Sequence, residues 1–128
     1  MRVVKDSAFD EVDLSASAQE LARLADAVAE GAGFISAASP RDGNALTGIE
    51  VREATGPGVC IALDASRKVL VISGDPAGMG ILADNLRAMA AAEDGGHLHV
   101  DYFPDHPYLV EGSLSLVVNS PHGGMPIR

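Results

Sequence analysis

The chain has 128 residues, 47 % of them apolar and 21 % charged, enough to bury one core without a disulfide or a structural metal. Its formal charge is −9 and its nine basic residues are scattered, which argues against nucleic acid or an anionic membrane surface as partner and favours a basic protein. The lone cysteine, Cys60, excludes an intrachain disulfide, and no apolar run has the length of a signal-peptide core or a membrane span, so a reducing, cytoplasmic setting is expected.

In chain order, Leu14, Ala18, Leu21, Ala25 and Val28 recur at helical spacing. Ser17 and Glu20 make the S-x-x-E capping pattern, with Ser15 an equally good cap by type, so a helix is predicted over 16–30 and stopped by Gly31 and Gly33. A short strand at 34–36 and a turn-rich loop at 39–44 follow. Ile49 and Val51 alternate with Glu50 and Arg52, as in a strand with one wet face. After the turn Thr55-Gly56-Pro57-Gly58, the residues Val59, Ile61 and Leu63 form the inward set of the next strand. Residues 69–72 are apolar on both faces, the mark of a sheet's centre. The short turns between these runs favour an antiparallel meander.

Asp75 followed by Pro76 is a strong helix start, and Met79, Leu82, Ala83, Leu86 and Ala90 supply an apolar stripe that ends near 94–96. Strands are predicted at 97–103 and 114–118. The reading is an α+β fold: a mainly antiparallel β-sheet with two helices packed on one face, one domain over 1–118 and a flexible tail over 119–128. Each half offers a helix, a glycine stop and a strand, but residue identity between the halves is too low to read as a repeat.

Strand alternation puts His97, His99 and Asp101 on one face and Leu98 and Val100 on the other. Two histidines and a carboxylate at this spacing are a metal-ligand pattern, similar to the start of the motif of metallo-β-lactamase-like hydrolases, although Tyr102 stands where that motif has its next histidine. A metal-dependent hydrolase using these three residues, with His106 or His122 as a further ligand, is therefore one alternative. The plainer reading, which the missing ligands favour, is a wet strand face of solvated histidines. The glycine-rich stretch 74–80 has no P-loop lysine, and Asp75 would repel a phosphate. Cys60 is mid-strand, where a small packing residue belongs, and no serine sits in a nucleophile elbow. No catalytic residue is assigned and no cofactor is implied.

The segment 101–111 gathers three of the five aromatics, Tyr102, Phe103 and Tyr108, with the acids Asp101, Asp105 and Glu111 and with His106. Aromatics beside acids make an interface that grips a basic partner; the same residues equally suit a loop that plugs the end of a core. A third reading of the whole chain is a structural or regulatory homodimer.

The run Val69-Leu70-Val71-Ile72-Ser73-Gly74, the helix with Leu82-Ala83-Asp84-Asn85-Leu86, the strand His97-Leu98-His99-Val100-Asp101-Tyr102-Phe103, His106-Pro107-Tyr108-Leu109 and the closing Gly112-Ser113-Leu114-Ser115-Leu116-Val117-Val118 together resemble the immunity proteins of bacterial polymorphic toxin systems, in the family known as immunity protein 32. The resemblance spans about 59–118. It implies a small cytoplasmic protein that binds and neutralises a cognate toxin encoded nearby, with a basic nuclease the toxin that the acidic charge suits. The expected contact surface is the open sheet face of Glu50, Arg52, His97, His99 and Asp101, joined by Tyr102, Phe103, Asp105, His106, Tyr108 and Glu111.

Overall fold

Alternation of period two begins earlier than the sequence reading placed it. In the computed structural model, which describes residues 1–5, 10–37, 45–91, 97–101 (backbone alone at 97), 106 and 108–119, strands β1 (Arg2–Lys5) and β2 (Glu11–Ser15) precede the first helix and pair antiparallel. Val12 and Leu14 are fully buried while Asp13 and Ser15 are exposed, so Leu14 belongs to a strand and not to the helical stripe. Helix α1 (Ala18–Glu30) starts at Ser17, whose Oγ accepts from the Glu20 N–H while Glu20 Oε1 accepts from the Ser17 N–H. This reciprocal box selects Ser17 over Ser15 as the cap. Gly31, at φ 78, closes the helix in the left-handed region.

Strands β3 (Ala32–Ser36) and β4 (Gly48–Glu53) pair antiparallel, as do β5 (Val59–Asp64) and β6 (Val69–Gly74). The sheet order is β3-β4-β6-β5, with β4 parallel to β6, which corrects the expected meander. Strand β6 is buried over Val69–Ile72 and takes the interior position its two apolar faces demand; β5, with Ala62 and Leu63 exposed, tolerates the edge. The connection 54–58 therefore carries the chain past β6.

Helix α2 (Pro76–Ala91) starts at Asp75, whose Oδ1 accepts from the Gly78 N–H at 2.9 Å. Strands β7 (His97–Val100) and β8 (Ser115–Asn119) then join the first hairpin in the order β1-β2-β8-β7, with β2 parallel to β8. The α+β class with mainly antiparallel strands and two helices holds, but among the described residues the strands form two four-stranded sheets where one was expected. The helices pack on each other; α1 also touches β3 and β4, and α2 touches β6 and β7. One apolar cluster draws on both helices and both sheets, including Leu24, Leu82, Leu14, Leu116, Ile49 and Ile72.

Outer strands β1 and β5 are bonded by the segments that lead into β4 and β8. The Leu46 N–H donates to the Val3 carbonyl at 2.8 Å, and the Leu114 N–H to the Ile61 carbonyl at 2.8 Å. Residues 108–110 add a second clamp on β5, with Val59 N–H donating to the Tyr108 carbonyl at 2.6 Å and Val110 N–H to the Val59 carbonyl at 2.9 Å.

Candidate functional site

The residues singled out from sequence fall in three places. His99 lies on β7 of the first sheet, β1-β2-β8-β7, and Asp101 one residue past the end of that strand; both are exposed. His97 is opposite Asn119 in the β7–β8 register and His99 is opposite Val117. Glu50 and Arg52, expected on the same face as the histidines, lie on β4 in the other sheet, because β7 pairs with β8 and β4 with β6. Tyr102, Phe103, Asp105 and His122 lie outside the described residues.

His106 and Tyr108 anchor the segment ahead of β8. His106 Nδ1 accepts from the backbone N–H groups of Tyr108 and Leu109 at 3.0 and 2.9 Å, which requires that nitrogen to be unprotonated. Burial lowers the pKa of His106 below 6.5, against an opposing pull from Asp101. The Tyr108 ring meets His106 edge-on at 4.7 Å, and its hydroxyl accepts from Asn85 Nδ2 at 3.1 Å. Tyr108 is 8 % exposed and burial raises its phenol pKa, so it plugs the core beside α2 and has little surface to offer a partner. Glu111 is exposed in the turn that follows.

The outer face of the first sheet holds residues the sequence reading missed. Val12 and Leu14 point to the core, so Glu11, Asp13 and Ser15 point outward, next to Ser115, Val117 and Asn119 of β8. The β7 register continues this row, with His99 beside Val117 and Val117 beside Asp13. Asn119 Nδ2 donates to Asp13 and to Ser15 Oγ, tying the two parallel strands together. A groove of about 200 Å³ runs over Arg2, Val4, Glu11, Asp13, Ser15 and Asn119. The available signal was the alternation Glu11-Val12-Asp13-Leu14-Ser15, hidden because Leu14 also fits the helical stripe.

The two sheets differ in how their acids are satisfied. On the second sheet, Arg67 bridges Glu50 at 2.5 Å and Asp64 at 2.7 Å. The Arg67 hydrogen bonds lower the Glu50 pKa and hold Asp64 at about 2, while Glu50 and Asp64 in turn raise that of Arg67. Among the described residues no ion pair engages Glu11, Asp13 or Asp101. The first sheet's outer face therefore sets Glu11 and Asp13 beside Arg2 with no ion pair among the described residues, whereas the second ties Glu50 and Asp64 to Arg67. No group of three or more His, Cys, Asp or Glu among the described residues is placed to hold a metal, and no helix among them is long and apolar enough to cross a membrane.

These features define an α+β protein of two sheets that presents an acidic sheet face. Residues 69–121 match the family model described as Immunity protein 32, which supports assignment to an immunity protein family and bears out the resemblance read from the sequence. Neither the curated proteins nor the solved structures give a match.

Proposed function

We propose that this chain is a toxin-neutralising protein that works by binding, without catalysis, in the cytoplasm, and that it meets a basic toxin through the outer face of the first sheet. The observation that carries the reading is the row of Glu11, Asp13, His99 and Asp101, whose acids make no ion pair among the described residues. The family match supports the same function and ends two residues past β8. By its adjacency to Asp101 in the sequence, segment 102–105 is read as part of the same contact, joined by the exposed Glu111. The toxin is a nuclease whose cationic substrate channel the acids occupy, the chemistry that favours a basic partner.

Co-expression with the product of the adjacent gene tests the reading. A stable complex and relief of toxicity are expected. The variant Asp13→Lys/Asp101→Lys slows association about tenfold or more at low salt, with the deficit shrinking as salt rises. A charge-matched control, Glu30→Lys/Asp84→Lys on exposed helix positions, keeps association within about threefold. Equal slowing in both variants, or in neither, refutes this face.

A further inference from the structure

We infer that the chain is one ββαββ unit used twice, as residues 1–53 and 59–119, related by an internal two-fold axis. This stands independently of the toxin reading.

The element order shows the exchange. Replacing β1, β2, α1, β3 and β4 by β5, β6, α2, β7 and β8 turns the order β1-β2-β8-β7 into β5-β6-β4-β3, which is the other sheet. The direction of every pair survives: the outer pairs are antiparallel and the central pair, β2·β8 or β4·β6, is parallel. Each unit thus gives its first hairpin to one sheet and its second to the other. Neither sheet is complete without both units.

The register agrees residue by residue. A shift of 58 carries the Val3–Leu14 pair onto the Ile61–Ile72 pair. The same shift, with no insertion, carries the cap Ser17, which accepts from the Glu20 N–H, onto the cap Asp75, which accepts from the Gly78 N–H. It carries buried Leu21, Leu24, Ala25 and Val28 onto Met79, Leu82, Ala83 and Leu86, all buried. Leu24-Ala25-Asp26 recurs as Leu82-Ala83-Asp84. In the last strand the shift is 67: Leu14 lies beside Val118, and Ile72 beside Val51. Even the clamp is repeated, since Leu46 N–H donates to Val3 and Leu114 N–H to Ile61. Topology alone requires neither equal caps nor an unbroken register through two strands and a helix.

The energetic meaning is that each unit's apolar stripe is covered by its mate's. Helices α1 and α2 pack on each other between units, with Leu24, Ala25, Leu82 and Ala83 in one buried cluster, and the central parallel pairing in each sheet is also made between units. The segment matched by the family, 69–121, lies within the second unit except for its last two residues, so its buried side chains need the first unit to cover them.

Two measurements on the whole chain test the inference. The first is a circular permutant that starts at Gly56, runs to Arg128 and continues without added residues from Met1 to Thr55. The two-fold places the end of β8 and the start of β1 as far apart as the ends spanned by 54–58, so residues 120–128 suffice as the connection. The expected product is monomeric, with a native circular dichroism spectrum and one cooperative transition within about 10 °C of the parent. An aggregated or molten product overturns the inference. The second carries no folding risk, because Ala29 is exposed on α1. Asp26 pairs with Arg87 at 3.0 Å, and the shift of 58 makes residue 29 the mate of Arg87 and Asp84 the mate of Asp26. In a double-mutant cycle read by urea unfolding, Ala29→Arg stabilises more with Asp84 present than in the Asp84→Asn background, and Ala29→Glu shows the opposite coupling. An Asp84 carboxyl that ignores the charge at position 29 removes the two-fold.

Discussion

Acidification should weaken the fold through His106 before any carboxylate is involved. The Nδ1 atom accepts two backbone N–H groups, at 3.0 and 2.9 Å, and protonation converts it to a donor that can accept neither. Burial sets the folded pKa below 6.5, so between that depressed value and 6.5 the unfolded chain binds more protons than the folded one. Stability from this group is complete above about pH 6.5 and is lost as pH falls toward the folded pKa, with a slope of at most about 1.4 kcal/mol per pH unit. His106→Ala leaves both part-buried N–H groups without their acceptor, at about 1–3 kcal/mol at pH 8. His106→Asn keeps a side-chain oxygen able to accept from the same turn and does not titrate. Urea unfolding of parent and His106→Asn from pH 8 to pH 5 isolates the effect, since the other histidines and the carboxylates cancel in the difference. The parent should lose stability relative to His106→Asn below pH 6.5. A flat difference, or a parent that gains on acidification, refutes the reasoning.

Three further outcomes are expected. Leu24→Ala and Leu82→Ala remove fully buried side chains at equivalent helix positions, and each should cost about 2–5 kcal/mol by denaturant unfolding. Gly58→Ala places a Cβ 2.6 Å from Val110 Cγ1 and 2.8 Å from the Tyr108 carbonyl at a φ of +90°, so it should destabilise by about 1–3 kcal/mol; a neutral result would mean that 108–110 does not clamp β5 as described. Arg67→Ala removes the main cause of the depressed Asp64 pKa, which should climb from about 2 toward 3.8 in an NMR titration, while an unmoved value would show the bridge to be absent in solution.

Helix starts were the most legible part of the sequence. Ser17 with Glu20, and Asp75 with Pro76, are local hydrogen-bonding signals that depend on a few neighbouring residues, and both caps form. The interior place of β6 was legible for a similar reason, because apolar residues on both faces need cover on both. Strand partners were not legible. The pairing of β4 with β6 and of β2 with β8 is parallel and long-range, and turn chemistry reports only on adjacent hairpins. β1 and β2 were missed because Leu14 satisfies both the strand and the helix period. The expected site divided for the same reason: His99 and Glu50 both alternate correctly, but alternation assigns a face and not a sheet. Tyr108 resolved toward the core once β5 was seen to need a clamp.

The repeat escaped detection because the two units agree in kind at inward positions and disagree outward. Val12 and Leu14 correspond to Leu70 and Ile72, held apolar by the shared core, whereas Glu11 and Asp13 correspond to Val69 and Val71. The grooves on the two outer faces show the same divergence: Val4, Asp13, Ser15 and Asn119 line one, and their counterparts Ala62, Val71, Ser73 and Arg52 line the other. A face that differs between equivalent places is free of the constraint that keeps the core alike, and the first sheet is where the acids stand without described ion pairs. That face is built jointly, from the first unit's hairpin β1–β2 and the second unit's hairpin β7–β8. On the proposed toxin-binding reading, Asp13, although outside the matched segment 69–121, should contribute to binding on the same scale as Asp101. Measured separately by association kinetics at low salt, Asp13→Lys and Asp101→Lys should slow binding to within about threefold of each other. If Asp101→Lys abolishes binding and Asp13→Lys leaves it unchanged, the toxin contacts segment 101–111 alone and the composite face is wrong.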